Sequence, residues 1–198
     1  MAEKEYTDIP ISDIGTQFYW FNPKNSGSSG SYKGAFEYGV PVTAGAEFGG
    51  DTESFDAPET DLDYVPKVAG RATFNDIAYT SNYTAEKYSR IIDITSNGKN
   101  TYMEVFTDGS ATIFQGTAGR PTITSGDVRQ INFSIVASFM LWIKDIKDIS
   151  TDEKNSLDAL GLIEIYKQIT STSKYYINID KTTVPTARQK YFKGYSAS

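Results

Sequence analysis

The sequence contains no cysteine and no histidine among its 198 residues. Without cysteine, the chain has no disulfide, no thiolate metal ligand and no cysteine nucleophile. Without histidine, it lacks the commonest general base near neutral pH and the commonest metal ligand. A Ser-His-Asp triad, a histidine zinc site and a Cys-His dyad are therefore excluded. We expect a protein that is not an enzyme and has no cofactor.

Basic charge and long apolar runs are also scarce. The formal net charge is −6, so the basic surface typical of nucleic-acid-binding domains is absent. Residues 1–146 carry 11 basic and 19 acidic side chains, whereas residues 147–198 carry 8 and 6. No secretory signal is recognisable, and no apolar run reaches the length of about 18 residues that a membrane span needs. We expect a soluble protein made in the cytoplasm, with no membrane span.

Aromatic and β-branched residues are plentiful, with 14 tyrosines and 11 phenylalanines, and they favour strands. Residues 71–80 alternate as a strand, with a change of phase at Asn75-Asp76 that predicts a slip or a bulge. Asp108-Gly109 lies between two β-rich runs and predicts a hairpin. Residues 116–126 are predicted to form a loop between strands.

One short helix is predicted inside this β-rich segment. Thr84 is a suitable N-cap, and Tyr88, Ile91 and Ile92 follow at i, i+3 and i+4 spacing. A helix of about ten residues is not stable alone in water, so we expect these three side chains to pack on the sheet.

The strand predicted at residues 129–137 has two distinct faces. One face is apolar, and the opposite face carries Gln130, Asn132 and Ser134. Such alternation is typical of a strand that covers a core on one side only.

A long segment at about residues 39–66 is acidic and rich in glycine. It holds seven acids and no base: Glu47, Asp51, Glu53, Asp56, Glu59, Asp61 and Asp63. Loops of this length are usually functional or disordered. Two interpretations remain open, a solvated loop and an interaction arm that orders against a neighbour. The spacing of these acids matches no known calcium loop, and the glycines lack the ending of a phosphate-binding loop.

The two ends of the chain differ in character. Residues 16–21 and 32–38 predict two early strands that form a hairpin with a long tip. After residue 146, Ser150 and Glu153 have the spacing of a capping box, and a short strand is predicted near Tyr175. Residues 188–193 are basic and aromatic, which suits contact with nucleic acid or with the acidic segment of a second copy, and the division of charge along the chain favours the second. We divide the chain into a β-domain at 1–146 and a C-terminal extension at 147–198.

The order of these elements resembles the major tail proteins, or tail tube proteins, of long-tailed phages. The resemblance covers roughly residues 10–146 and rests on ATFNDIAYTSNYTAEKYSRIIDI, YMEVFTDGSATIFQGTA and GDVRQINFSIVAS. It lies in the order and texture of the segments, and no single motif is diagnostic.

The resemblance implies a mainly β protein with one short helix, in a β-sandwich or barrel-like tail tube fold, plus a C-terminal α/β extension. It implies a structural virion protein whose hexameric rings stack into a tail tube, the conduit for DNA ejection. It also implies that the acidic segment contacts the next ring. Partners would be further copies of the chain and the tape measure, tail tip and tail terminator proteins, with double-stranded DNA passing through unbound. On this basis we expect Gln130, Asn132 and Ser134 to line or border the channel.

A second interpretation belongs to a different class. A β-sandwich of a phage tail tip or baseplate could recognise a carbohydrate or a receptor through exposed aromatic side chains. Self-association without a ligand distinguishes the tube protein from such a binding module.

Overall fold

The computed structural model describes residues 16–24, 34–43, 46–56, 67–146, 148–159, 166–169, 174–177, 179–180 and 183. In chain order the elements are β1 (Gln17–Asn22), β2 (Ala35–Tyr38), β3 (Gly50–Asp56), β4 (Lys67–Phe74), β5 (Ile77–Asn82), α1 (Ala85–Thr95), β6 (Lys99–Val105), β7 (Ala111–Ala118), β8 (Thr122–Thr124), β9 (Gln130–Ile143), α2 (Thr151–Ala159), β10 (Tyr166–Ile169) and β11 (Lys174–Ile177). Most of these elements are strands, which confirms the predicted mainly β class. In the described part of the chain, no helix combines the length and the hydrophobicity that crossing a membrane requires.

The main sheet has seven strands in the order β2-β1-β6-β7-β9-β5, with β8 alongside β9. Two further sheets have two strands each, β3 with β4 and β10 with β11. β1 and β2 are antiparallel, with Tyr19 opposite Tyr38 and Asn22 opposite Ala35, which confirms the early hairpin.

One compact unit comprises Met1–Tyr38, Met103–Ile113 and Leu141–Ser198. Its core combines residues from β1, β2, β6 and β7 with residues from the C-terminal part of the chain. The buried members are Tyr19, Phe36, Tyr38, Met103, Val105, Ala111, Ile113, Ile143, Ile146, Ile149, Leu157, Ile177 and Ile179. The predicted division of the chain at residue 146 stays a prediction.

The second compact unit comprises Gly39–Tyr102 and Phe114–Met140. β5 and β9 pair antiparallel in this unit, and Tyr79 of β5 stacks on Phe133 of β9 with ring centroids 5.3 Å apart. Ile131 and Ile135 of β9 are fully buried on the same side as Phe133. The predicted alternation of β9 is therefore confirmed.

Helix α1 begins and ends as its sequence predicts. The Thr84 side chain accepts a hydrogen bond of 3.2 Å from the backbone N–H of Lys87, so Thr84 is the N-cap. At the other end, Gly98 has a φ of 66°. The helix ends at Thr95 with Ser96 as its C-cap, and Gly98 takes the left-handed conformation, which is favourable for glycine, before the chain enters β6.

The predicted apolar face of α1 is wrong at one position. Ile91 and Ile94 are fully buried, Tyr88 is half-buried, and Ile92 is 41% exposed. Successive residues are about 100° apart around a helix, so Ile92 and Ile94 lie about 160° apart. Because Ile94 points into the core, Ile92 points away from it.

Two local motifs take the predicted geometry. In the turn between β6 and β7, Gly109 has a φ of 93°, and Asp108 accepts hydrogen bonds from the Ser110 N–H and hydroxyl. At the start of α2, Ser150 and Glu153 bond reciprocally, with the Ser150 N–H 2.8 Å from Glu153 Oε2. The hairpin and the capping box are both confirmed.

Two predicted segments differ from the structure. The phase change at Asn75-Asp76 is a complete break, because β4 pairs with β3 whereas β5 pairs with β9. Residues 116–126 are not only a loop. They contain the end of β7 and the short strand β8, because the chain continues alongside β9.

Candidate functional site

The acidic segment contains a strand, so its prediction as a loop is wrong for residues 50–56. β3 pairs antiparallel with β4 from Gly50 opposite Phe74 to Asp56 opposite Lys67, with a register shift between Thr52 and Ser54. The backbones approach so closely that a Cβ on Gly50 would clash with the Thr73 carbonyl oxygen. The two strands form a sheet of their own, which we call the β3–β4 arm.

The structure places four of the seven acids. Glu47 and Asp51 are exposed, the first just before β3 and the second inside it. Glu53 and Asp56 are residues of β3. Glu59, Asp61 and Asp63 lie outside the described residues. The arm therefore presents acidic side chains beside a strand pair, and its role in inter-ring contact stays a prediction.

The polar face of β9 forms a hydrogen-bonded row across three strands. Gln130, Asn132 and Ser134 are half-buried and alternate with the buried core residues. Thr80 of β5 donates to Asn132 Oδ1 at 2.8 Å, and Asn132 Nδ2 donates to Thr124 Oγ1 of β8 at 2.9 Å. None of these five side chains is charged. The row is therefore polar and neutral, and hydrogen bonds to β5 and β8 hold the Asn132 amide in place.

Exposed apolar side chains continue along the same strand. Val136 and Trp142 are 57% and 58% exposed, and both occupy even positions of β9, as Asn132 does. Near the start of the strand, Ile123 and Val128 are 43% and 58% exposed. Ile123, Val128 and Val136 belong to the unit that contains Phe114–Met140, whereas Trp142 belongs to the unit that contains Leu141–Ser198. No sequence pattern singles out Ile123, Val128 or Val136, whereas Trp142 lies in residues 139–143, which are apolar on both faces of the strand.

Among the described groups, Tyr102 and Glu153 have pKa values that are shifted by their surroundings. Burial raises the pKa of the Tyr102 hydroxyl to about 12. Burial also raises the pKa of Glu153, but hydrogen bonds from Lys144 and Ser150, with the Lys144 charge, outweigh it and lower that pKa below 4.5. Glu153 caps a helix, so its perturbation has a structural cause. Among the described residues, no group of three or more Asp or Glu could hold a metal ion.

Comparisons with known proteins give similarity in structure only. No family model and no curated protein matches the sequence. A chain in the 6-fold symmetrised baseplate of the anti-feeding prophage superposes with a TM-score of 0.51 at 8% identity, covering 69% of this chain and 97% of that chain.

Two further solved structures superpose less well. A chain of the sheath-tube complex of the extracellular contractile injection system PVC gives a TM-score of 0.43 at 14% identity, covering 70% of this chain and 93% of that chain. The SPP1 tail tube gives a TM-score of 0.43 at 11% identity, covering 67% of this chain and 78% of that chain. Neither value is high enough to support an inference. The mainly β fold indicated by the resemblance is confirmed, and the chain shares it with a chain of the anti-feeding prophage baseplate.

Proposed function

We propose that this protein is a structural subunit of a phage tail, which self-assembles into stacked hexameric rings that form the tail tube and conduct DNA. The observation that carries the proposal is the fold, which this chain shares with a chain of a 6-fold symmetrised baseplate over 97% of that chain's length. A tube subunit acts through its surfaces and needs no catalytic group, which suits a chain without histidine or cysteine.

The charge of the chain suits a conduit for DNA. Double-stranded DNA carries one negative charge per about 1.7 Å of its axis, so a basic wall would hold it. This chain has a net charge of −6, and the polar row of β9 is neutral. We therefore propose that Gln130, Asn132 and Ser134 line or border the channel, where DNA slides past without specific contacts.

The β3–β4 arm is the proposed contact between rings. Two exposed acids, Glu47 just before β3 and Asp51 inside it, can meet a basic surface of the next ring. Replacing both with lysine is then expected to leave single rings intact and to shorten the stacks seen by electron microscopy. Full-length tubes from this variant would exclude Glu47 and Asp51 as stacking contacts.

The test of the proposed function is negative-stain electron microscopy of the purified protein at rising concentration, with light scattering for mass. We expect rings with a central hole, or hollow filaments, in the absence of any ligand. A monomer at every concentration, even after tail-tip complexes are added as seeds, would contradict the proposal.

A second function is favoured by the exposure of one aromatic side chain. Trp142 is 58% exposed, and an exposed indole ring is a suitable platform for a sugar ring. The alternative is a carbohydrate- or receptor-binding module of a tail tip or baseplate. Saturable glycan binding by a monomer, lost in Trp142→Ala, would favour this alternative over the tube.

A further inference from the structure

The outer edge of β2 is covered by residues from the C-terminal part of the chain. β2 is the terminal strand of the main sheet, and its inner side pairs with β1. On its outer side, Phe36 forms a parallel bridge with Ile179, and the Asp180 N–H donates to the Phe36 carbonyl oxygen at 2.9 Å. We call Ile179, Asp180 and Thr183 the β2 clamp.

Thr183 completes the clamp through its hydroxyl group. The Tyr38 N–H donates to Thr183 Oγ1 at 2.9 Å, and the same hydroxyl donates to the Asp180 carbonyl oxygen at 2.8 Å. Phe36 and Tyr38 are two residues apart, so both direct their backbone groups to the same edge. The clamp therefore engages both outward-facing residues of this four-residue strand.

The strand at the opposite end of the sheet is covered in a different way. The Thr43 N–H donates to the Thr80 carbonyl oxygen of β5 at 2.8 Å, and the Ser81 hydroxyl donates to the Pro41 carbonyl oxygen at 2.6 Å. An uncovered edge strand pairs readily with another chain. Each terminal strand of the sheet is thus covered by a segment of its own chain.

We propose that the β2 clamp is an autoinhibitory contact that must open before the β2 edge can pair with a strand of a second copy. This inference rests on the proposed tube assembly. The clamp and an incoming strand use the same backbone groups, the Phe36 carbonyl and the Tyr38 N–H, so they exclude each other. Free subunits with a closed clamp resist premature pairing, and a growing tube replaces the clamp with its own strand.

The test compares Thr183→Val with Thr183→Ser in the full-length protein. Valine keeps the shape of threonine but removes both hydroxyl hydrogen bonds, whereas serine keeps them. Loss of hydrogen bonds of typical net strength shifts the opening equilibrium roughly tenfold. We expect Thr183→Val to form rings at a severalfold lower concentration than the wild type, and Thr183→Ser to behave as the wild type. The thermal transition of each protein shows whether it is folded. If all three folded proteins form rings at the same concentration, the proposed autoinhibition by the β2 clamp is wrong.

Hydrogen exchange supplies a second, independent measurement. In the free subunit, we expect protection of the amides of Tyr38 and Asp180. In rings or tubes, Asp180 is expected to lose its protection while Tyr38 keeps it, because a second copy replaces the clamp at β2. Tubes in which Asp180 stays protected would overturn the clamp but leave the proposed function intact. Failure of every variant to assemble, even with tail-tip seeds, would overturn the proposed function and the clamp with it.

Discussion

At the scale of single residues, close backbone approach decides where a side chain is tolerated. A Cβ at Gly116 would lie 2.5 Å from the Val136 carbonyl oxygen and 2.7 Å from Ile135 Cγ2. A Cβ at Gly119 would meet Ser134 atoms at 3.6 Å, an ordinary contact distance. The two glycines are three residues apart but differ in the space that a Cβ would find, so their alanine variants can be compared directly.

We predict that Gly116→Ala lowers the free energy of unfolding by about 1–3 kcal/mol, because the added methyl group must push β9 away from β7. Gly119→Ala is expected to change it by less than about 1 kcal/mol. Urea unfolding of both variants checks the prediction. An equal effect of the two substitutions would show that the approach of β7 to β9 is not the cause.

The ionisation of Glu153 is tied to folding. Its carboxylate accepts hydrogen bonds from the Lys144 N–H at 2.8 Å and from the Ser150 hydroxyl at 2.7 Å. These bonds hold its folded-state pKa below the ordinary value of 4.5. A lowered folded-state pKa stabilises the fold above the unfolded-state pKa, and this stabilisation disappears as the pH falls through the folded-state pKa.

We predict that Glu153→Gln is less stable than the wild type at neutral pH and that the difference narrows below about pH 4.5. Unfolding free energies measured from pH 7 to pH 3 check this prediction. Glu86→Gln, at an exposed position in the first turn of α1, is the control for the loss of a surface carboxylate. A constant difference between Glu153→Gln and the wild type at all pH values would contradict the assignment.

At the scale of elements, two isoleucines of α1 show which face of the helix packs against the rest of the protein. Ile94 is fully buried, whereas Ile92 is 41% exposed, although both are isoleucines of the same helix. We predict that Ile94→Ala costs about 2–5 kcal/mol of stability, because it leaves a cavity, and that Ile92→Ala costs about 1 kcal/mol or less. Thermal or urea unfolding distinguishes the two. A larger loss of stability in Ile92→Ala than in Ile94→Ala would favour the packing face predicted from the sequence.

Elements with local signals could be predicted from the sequence. Thr84 caps α1, Asp108-Gly109 forms its turn, and Ser150 pairs with Glu153, because each of these signals acts within four residues. The alternation of polar and apolar residues was also sufficient to predict β9, because successive side chains of a strand point to opposite faces of the sheet.

Elements that depend on distant partners could not be predicted in the same way. β3 carries three acids in seven residues, a composition that is unfavourable for strands, and its pairing with β4 is set by residues on the other side of a long connection. The β2 clamp has no sequence pattern at all, because it joins residues 145 positions apart. For the candidate site, the polar row of β9 could be predicted, but its hydrogen bonds to Thr80 and Thr124 depend on tertiary pairing.

At the scale of the whole molecule, the proposed conduit makes the charge of one strand face important. We predict that the double substitution Gln130→Lys and Ser134→Lys slows DNA ejection from assembled tails, because lysines on the channel wall attract phosphates. The control adds the same charge on a different element, as Ala85→Lys and Ser89→Lys at two exposed positions of α1. Ejection measured by dye release from intact virions gives the comparison. Unchanged ejection through intact tubes would show that Gln130 and Ser134 do not face the channel.

The long separation between Tyr38 and Thr183 has a consequence for synthesis on the ribosome. Tyr38 emerges 145 residues before the threonine that covers its amide. At a synthesis rate of about 5–20 residues per second, the outer edge of β2 stays uncovered for about 7–30 s while each chain is made. Neighbouring nascent chains on one messenger RNA carry the same open strand during this interval. The strongest demand for protection by chaperones therefore falls before the polypeptide is released.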